Sequence, residues 1–282
     1  MALGVAADAT ILTLILALAA LGLAVIYGLI GVINLGHGAM LTIGAYVTWA
    51  CTGAGIPFAA AVVLAGLGVG LVGFALEHLV IRHFYDQPFE TLLITWGFFL
   101  VTTEVIKIIF GPTLHPVTSP LPAALDLGII TLPAYRVLVA GVAVVLLGGV
   151  AALLYRTDLG IRIRAVIQNR EVASLLGVDI GAMYKMVFVA GCCLAGIAGA
   201  LLSPILSVGP YMGNIYLVRS FFVVIVGGIG QILGGTLVGS FLIGGSETIF
   251  ALLFSQVFAQ TIVFALAILI LRFRPFGVLT RR

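Results

Sequence analysis

The sequence predicts an all-α fold, a polytopic integral membrane helix bundle of about eight to nine transmembrane segments, two of them interrupted. Three observations carry that prediction. Apolar residues make up 62% of the 282-residue chain and charged residues 8%, a balance that excludes a water-soluble globule. The apolar residues gather into runs of roughly the 20 that a helix needs to cross hydrocarbon. The basic residues collect in a few connectors: none precedes Arg82, while Arg272, Arg274, Arg281 and Arg282 crowd the C-terminus. Membrane orientation accounts for this asymmetry, and nucleic acid is not needed to explain it. Residues 1–282 read as a single transmembrane domain. The N-terminus has no basic region of the kind that opens a cleaved signal peptide.

Taken in order, the first span is expected over residues 10–33 and is ended by Asn34-Leu35-Gly36-His37-Gly38. A shorter apolar run covers 39–51, and Gly53-Ala54-Gly55-Ile56-Pro57 has the composition of a turn. The third span covers 58–79 and leads into Arg82, His83 and Asp86. The fourth and fifth spans cover 91–110 and 135–155. Between them, 111–133 contains Pro112, Pro116, Pro120, Pro122 and Pro133 and no Lys or Arg. Proline at that density favours extended backbone, and the lack of basic residues places the loop outside. Residues 186–206 form the next span. The run 220–254 is too long for one span and is centred on 227–235, and the last span covers 256–271. Parity places the connectors at Arg82 and at 156–185 on one side, the N-terminus opposite, and the C-terminus with the connectors.

Two glycine clusters interrupt apolar runs in opposite halves of the chain, and each contains an amide, Asn34 or Gln231. Interrupted hydrophobic segments at corresponding positions point to a transport pathway, because broken backbone at membrane depth survives only where protein buries it or where it lines a cavity. The pathway-lining candidates are Asn34, Gly36, His37, Gly38, Gly230, Gln231 and Glu247. The alternative for each cluster is a tight interhelical turn at the surface. Gly191, Ala195 and Gly199, Gly196 and Ala200, and Gly66 and Gly70 recur at four-residue spacing and read as helix-packing surfaces. Glu104 and Lys107 are spaced to pair on one helix, whereas Glu247 has no local partner. Glu77 and His78 fall near a cytoplasmic span end, where they can reach the headgroups. Cys51, Cys192 and Cys193 sit in apolar runs as small packing residues.

The largest polar island is 156–185, RTDLGIRIRAVIQNREVASLLGVDIGAMYK, with five basic and three acidic residues. It is expected to face the cytoplasm. Within it, Asn169 caps a predicted helix over 170–176 that Gly177 ends, presenting Val172, Ala173, Leu175 and Leu176. At two turns the helix is too short to be stable alone and reads as a knob that docks into another surface. Its stretch RAVIQNREVASLLGVD resembles the coupling loop of ABC importer permeases, in the variant found in the branched-chain amino acid permeases and their urea-transport relatives. Residues 25–49, VIYGLIGVINLGHGAMLTIGAYVTW, and 220–240, SFFVVIVGGIGQILGGTLVGS, resemble two further hallmarks of that family, as does Arg-Pro-x-Gly at 274–277. PFETLLITWG at 88–97 and VGPYMGNIYLVRSF at 208–221 lean toward the urea branch, although Arg219 departs from the acidic residue expected there.

The resemblance implies a permease subunit of an ATP-binding-cassette importer in the bacterial inner membrane. It implies two ATPase subunits that hold ATP and Mg, a homologous second permease subunit, a periplasmic or lipid-anchored solute-binding protein, and membrane lipid around the chain. It assigns ATPase coupling to Arg164, Ala165, Asn169, Arg170, Glu171, Ala173 and Gly177, and branched-chain amino acids or a small polar solute such as urea as cargo. No cofactor, metal site or catalytic residue is expected in this chain. There is no Gly-rich loop ending in Gly-Lys-Ser/Thr, no His-Glu-x-x-His and no Gly-x-Ser-x-Gly. The alternative function is a self-contained channel or secondary transporter for a small polar solute. Such a transporter relies on intramembrane carboxylates, for which Glu104 and Glu247 are the candidates.

Overall fold

The computed structural model describes residues 2–126, 131–228 and 230–280. Arg281 and Arg282 of the basic C-terminus, residues 127–130 of the proline-rich loop and Ile229 of the second glycine cluster lie outside them. The predicted all-helical membrane fold is observed. Seven helices among the described residues are long and apolar enough to cross a membrane. They are α1 (Ala2–Ile30), α3 (Phe58–Leu79), α4 (Pro88–Phe110), α5 (Ala134–Arg156), α8 (Ile180–Leu206), the continuous run of α10 (Ile232–Ser240) into α11 (Ser246–Phe250), and α12 (Gln256–Phe273). Two helices are shorter, α2 (His37–Gly53) with 17 residues and α9 (Met212–Gly227) with 16. The proline-rich loop carries a small antiparallel ladder, β1 (Ala124–Asp126) against β2 (Thr131–Pro133), in addition to the extended backbone its composition predicts.

The bundle is built around α8, which packs on α1, α2 and α3 at once. Small residues on separate faces permit this. Gly191 and Ala195 meet Gly22 of α1, Gly196 meets Ala65 and Val69 of α3, and Gly199 meets the Leu41 backbone of α2. Lipid supplies no hydrophobic drive between helices, so backbones that approach closely gain dispersion contacts instead. The cysteines take the packing role expected of them: all three are free, and Cys192 and Cys193 fill the notches at Gly73 and Gly70.

Contacts between connectors agree with the parity of charge. Arg170 of the polar island bonds Asp86 of the other basic connector at 2.8 Å. Leu29 at the end of α1 and Ile232 at the start of α10 pack with Leu154, Ile163 and Ala173 of the island. The C-terminal tail joins that side, where the Val278 N–H donates to the Val226 carbonyl at 2.8 Å. At the opposite ends of the helices, His115 of the proline-rich loop exchanges backbone hydrogen bonds with Val208. In a background lacking the native cysteines, single cysteines at exposed Thr118 and exposed Gln168 are therefore expected to label from opposite faces of the membrane. Labelling of both by an impermeant maleimide in intact cells would overturn the orientation.

Candidate coupling surface and translocation segment

The polar island folds as two helices, α6 (Asp158–Gln168) and α7 (Arg170–Leu175). The Thr157 side chain caps α6 by accepting from the Gly160 N–H at 3.2 Å, and Asn169 Oδ1 caps α7 by accepting from the Val172 N–H at 3.0 Å. Gly177, at φ +87°, reverses the chain, and the Val178 N–H returns to the Ala173 carbonyl at 3.1 Å. Asp179 then caps α8 through the Ala182 N–H. Every end in this connector is satisfied by a residue beside it, so a helix too short to persist alone is held in place.

The orientation of α7 differs in one respect from the sequence expectation. Ala173 faces inward at 2% exposure, whereas Leu175 and Leu176 stand out at 87% and 78%. Ala173 is the anchor, packed with Leu154, Ile163 and Met183, and the leucines form the outward tip. Arg170 pins the element to Asp86, and Arg164 lies over the Tyr155 ring at 5.3 Å. Asn169 and Glu171 are exposed, and Ala165 is half-buried. Below the tip, Tyr85 donates to Glu77 Oε1 at 2.8 Å. Burial first, and this bond second, hold the Tyr85 phenol well above its ordinary pKa, so it remains a donor. Glu77 is 1% exposed and does not reach the headgroups, contrary to the expectation from its position near the span end, because Tyr85 takes its carboxylate inward.

The two glycine clusters are not equivalent. After α1 ends at Ile30, residues 31–36 run without helix, and α2 begins at His37. His37 Nε2 bonds the Ala19 carbonyl at 2.7 Å. A carbonyl only accepts, so Nε2 carries the proton and Nδ1 is left as an acceptor. Ala19 lies about 16 Å along α1 from Ile30. The segment therefore returns from the end of α1 that packs on the polar island to the middle of the bundle as non-helical chain. Asn34 is buried at its centre, and both of its side-chain polar atoms, together with His37 Nδ1, lack partners among the described residues. Leu35 N–H is satisfied by Thr95 Oγ1 at 3.1 Å. Gly36 lies against the Asn34 side chain, Phe98 and Thr95, and Gly38 against Gly213 and Phe99.

The second cluster is a turn between two antiparallel helices. Gly227 of α9 meets Gly235 of α10, and Gly239 of α10 meets Val223 of α9. Gly230 turns at φ +82°, Gln231 is exposed, and the C-terminal tail covers the turn through Gly277 against Gly228. This is the surface turn that the sequence left as the alternative for each cluster. The two segments still converge on Tyr27 of α1, which lines one narrow crevice with Gly230 and Gln231 and another with Ile33 and Val224.

The family model described as branched-chain amino acid transport system / permease component matches residues 5–271. The chain belongs to that family. The permease is 26% identical over 281 residues to the high-affinity branched-chain amino acid transport system permease protein BraD of Pseudomonas aeruginosa, covering 94% of this chain and 91% of the relative. Identity to LivH of Escherichia coli K12, named as a high-affinity branched-chain amino acid transport system permease protein, is 28% over 284 residues, with the same coverages. A probable branched-chain amino acid transport permease protein LivH of Methanocaldococcus jannaschii is 31% identical over 245 residues, or 83% of this chain and 76% of the relative. No solved structure matches the permease. It is a multi-pass protein of the inner (plasma) membrane.

Two features of the permease escaped sequence reasoning. Helix α6 was visible in principle: Thr157 precedes Asp158, and Gly160, Ile163 and Val166 form a buried stripe at helical spacing. The partner of Glu247 was not visible. Arg219 Nη2 donates to Glu247 Oε1 at 2.8 Å across 28 residues of sequence. The Glu104–Lys107 pair, three residues apart, does form, at 2.7 Å, and the Lys107 ammonium also donates to the Tyr211 hydroxyl.

Proposed function

We propose that the permease is a membrane subunit of an ATP-driven importer for branched-chain amino acids. The observation that carries this reading is the capped helix α7, which holds two exposed leucines at its tip on the cytoplasmic side. A rigid apolar knob of this kind suits a groove on a soluble ATPase subunit, because burying each leucine is worth about 1.5–3 kcal/mol. Two such ATPases, carrying ATP and Mg, would dock to this permease and to a homologous second permease. A periplasmic or lipid-anchored binding protein would deliver solute to the opposite face. Arg164, Ala165, Asn169, Arg170, Glu171, Ala173 and Gly177 shape and hold the coupling element. The Asn34 side chain and His37 Nδ1 supply unpaired polar groups at mid-bundle depth, with Gly36 and Gly38 beside them, along which a polar solute can pass. Gly230 and Gln231 border a crevice at Tyr27, next to the one that Ile33 lines. The names of the relatives favour branched-chain amino acids over urea.

The test is uptake into proteoliposomes holding the permease with its co-purifying ATPase and binding protein. Labelled L-leucine is expected to accumulate only with ATP inside, and labelled urea is not. Leucine flux through the permease alone, or urea uptake without leucine uptake, would overturn the reading.

A further inference from the structure

A second polar place lies toward the periplasmic helix ends, apart from both the coupling surface and the interrupted segment. A cavity of about 310 Å³ is enclosed by α1, the start of α5, α9 and the α10–α11 run. Leu12, Ile15 and Leu16 form one wall, Arg136, Arg219 and Glu247 form the charged lining, and Tyr216, Thr248 and Gln256 add uncharged polar groups. Between α10 and α11, residues Phe241–Gly245 wind as a π-helix. A π turn inserts a residue and rotates the helix beyond it, a device common at functional sites. Two residues past this turn stands Glu247, which faces Arg219 of α9. Gly244 at the turn lets α1 approach through Leu12 and Leu16.

The charges in this cavity do not balance. Glu247 Oε1 accepts from Arg219, and its Oε2 has no protein donor among the described residues. Arg219 Nε is buried without an acceptor. Among the described residues Arg136 has no carboxylate within ion-pair distance. The lining therefore holds two cations and one anion beside an aliphatic wall. Arg136 is half-buried in the lining, and a carboxylate is the group that would pair with it there. A carboxylate meets a guanidinium in bidentate fashion, and an ammonium on the same ligand meets the open Glu247 oxygen. A zwitterion leaves the net charge of the lining unchanged, as urea would, but it puts a carboxylate on Arg136 and an ammonium on Glu247, which urea cannot.

We propose that this cavity is a periplasm-facing binding site for an aliphatic α-amino acid, with its carboxylate on Arg136, its ammonium on Glu247 and its side chain against Leu12, Ile15 and Leu16. The proposal rests on the amino acid reading above and adds to it a place and a mode of recognition. It is tested by saturation-transfer difference NMR on the full-length permease in lipid nanodiscs, which detects weak ligands through their methyl groups. L-Leucine is expected to give a saturable methyl signal. Leucinamide, which lacks the carboxylate, and 4-methylpentanoate, which lacks the ammonium, are each expected to bind about tenfold more weakly. Arg136→Gln is expected to weaken L-leucine by a similar factor, and because Arg136 holds no ion pair among the described residues its loss is expected to leave the fold intact. Glu247→Gln strands Arg219, so it is read only if the variant elutes as wild type does. Equal binding of leucine and leucinamide, or of leucine to wild type and Arg136→Gln, would overturn the site. The two readings fail separately. If the reconstituted importer takes up leucine at the same rate with Arg136→Gln as with wild type, the site falls and the amino acid reading stands. If wild type takes up urea and not leucine, the amino acid reading itself falls.

Discussion

Replacing Leu175 and Leu176 together with Asp is expected to abolish ATP-driven uptake while the permease still inserts and folds. Both side chains point away from the protein, so the change removes no internal contact. The helix beneath them is fixed by the Asn169 cap, the Gly177 reversal and the Arg170–Asp86 bond. A carboxylate carried into an apolar groove loses its hydration without gaining a partner, which costs several kcal/mol per group. Each 1.4 kcal/mol is tenfold in affinity, so docking of the ATPase should weaken by at least about a hundredfold. Two measurements check this, co-purification of the ATPase and leucine uptake. Normal values of both would show that the α7 tip is not the coupling surface. Ala173→Glu provides a contrast. It places a carboxylate among Leu154, Ile163 and Met183, so it should lower the stability of the permease itself. Gly177→Glu falls between the two. A side chain at φ +87° costs about 1–2 kcal/mol of backbone strain, and it should loosen the end of α7 without emptying a core position.

A leucine at Gly199 is expected to prevent the bundle from closing. The added Cβ would collide with the Leu41 backbone of α2, and no rotamer change relieves contact with a main-chain carbonyl. Overpacking commonly costs about 1–3 kcal/mol where side chains can yield, and about 3 kcal/mol or more is expected where only the backbone can move. The control lies in α3. Gly70 meets Cys193 of α8, whereas a Cβ at Gly68, two residues earlier, meets nothing within 4 Å. Gly70→Leu should therefore reduce the monodisperse yield and the thermal midpoint in detergent, and Gly68→Leu should leave both near wild type. Gly199→Leu should fall furthest. Wild-type elution and thermal midpoint for Gly199→Leu would mean that α2 and α8 do not meet at these residues.

The segment at residues 31–36 shows how a local signal can be sound and still incomplete. The sequence marks a break in the apolar run, and a break is present. Only the packed bundle shows that the chain beyond it climbs beside α1 until His37 reaches Ala19. The second cluster likewise joins glycines to an amide and becomes a hairpin turn, because Gly227 and Gly235 allow α9 and α10 to pack directly on one another. Composition reports that a helix stops. It does not report where the next one starts in depth.

What the sequence determined by itself rests on interactions within a few residues or on transfer of whole segments into lipid. These include the helical class, the span limits near 58–79 and 256–271, the grouping of the basic connectors at one end of the bundle, the Asn169 cap, the Gly177 reversal and the Glu104–Lys107 pair. Burial of about 20 apolar residues, a cap three residues from its donor and a pair on one helix turn are the same in any arrangement of the bundle. The tertiary structure alone decided that Ala173 faces inward, that Tyr85 draws Glu77 into the interior, that Arg219 pairs with Glu247, and that Arg136 stands beside them without a counter-ion among the described residues. Each of these depends on which helices become neighbours. That choice is made by shape, through the small residues of α8 and the close approach of backbones, and shape at a distance is not written in any one stretch of chain.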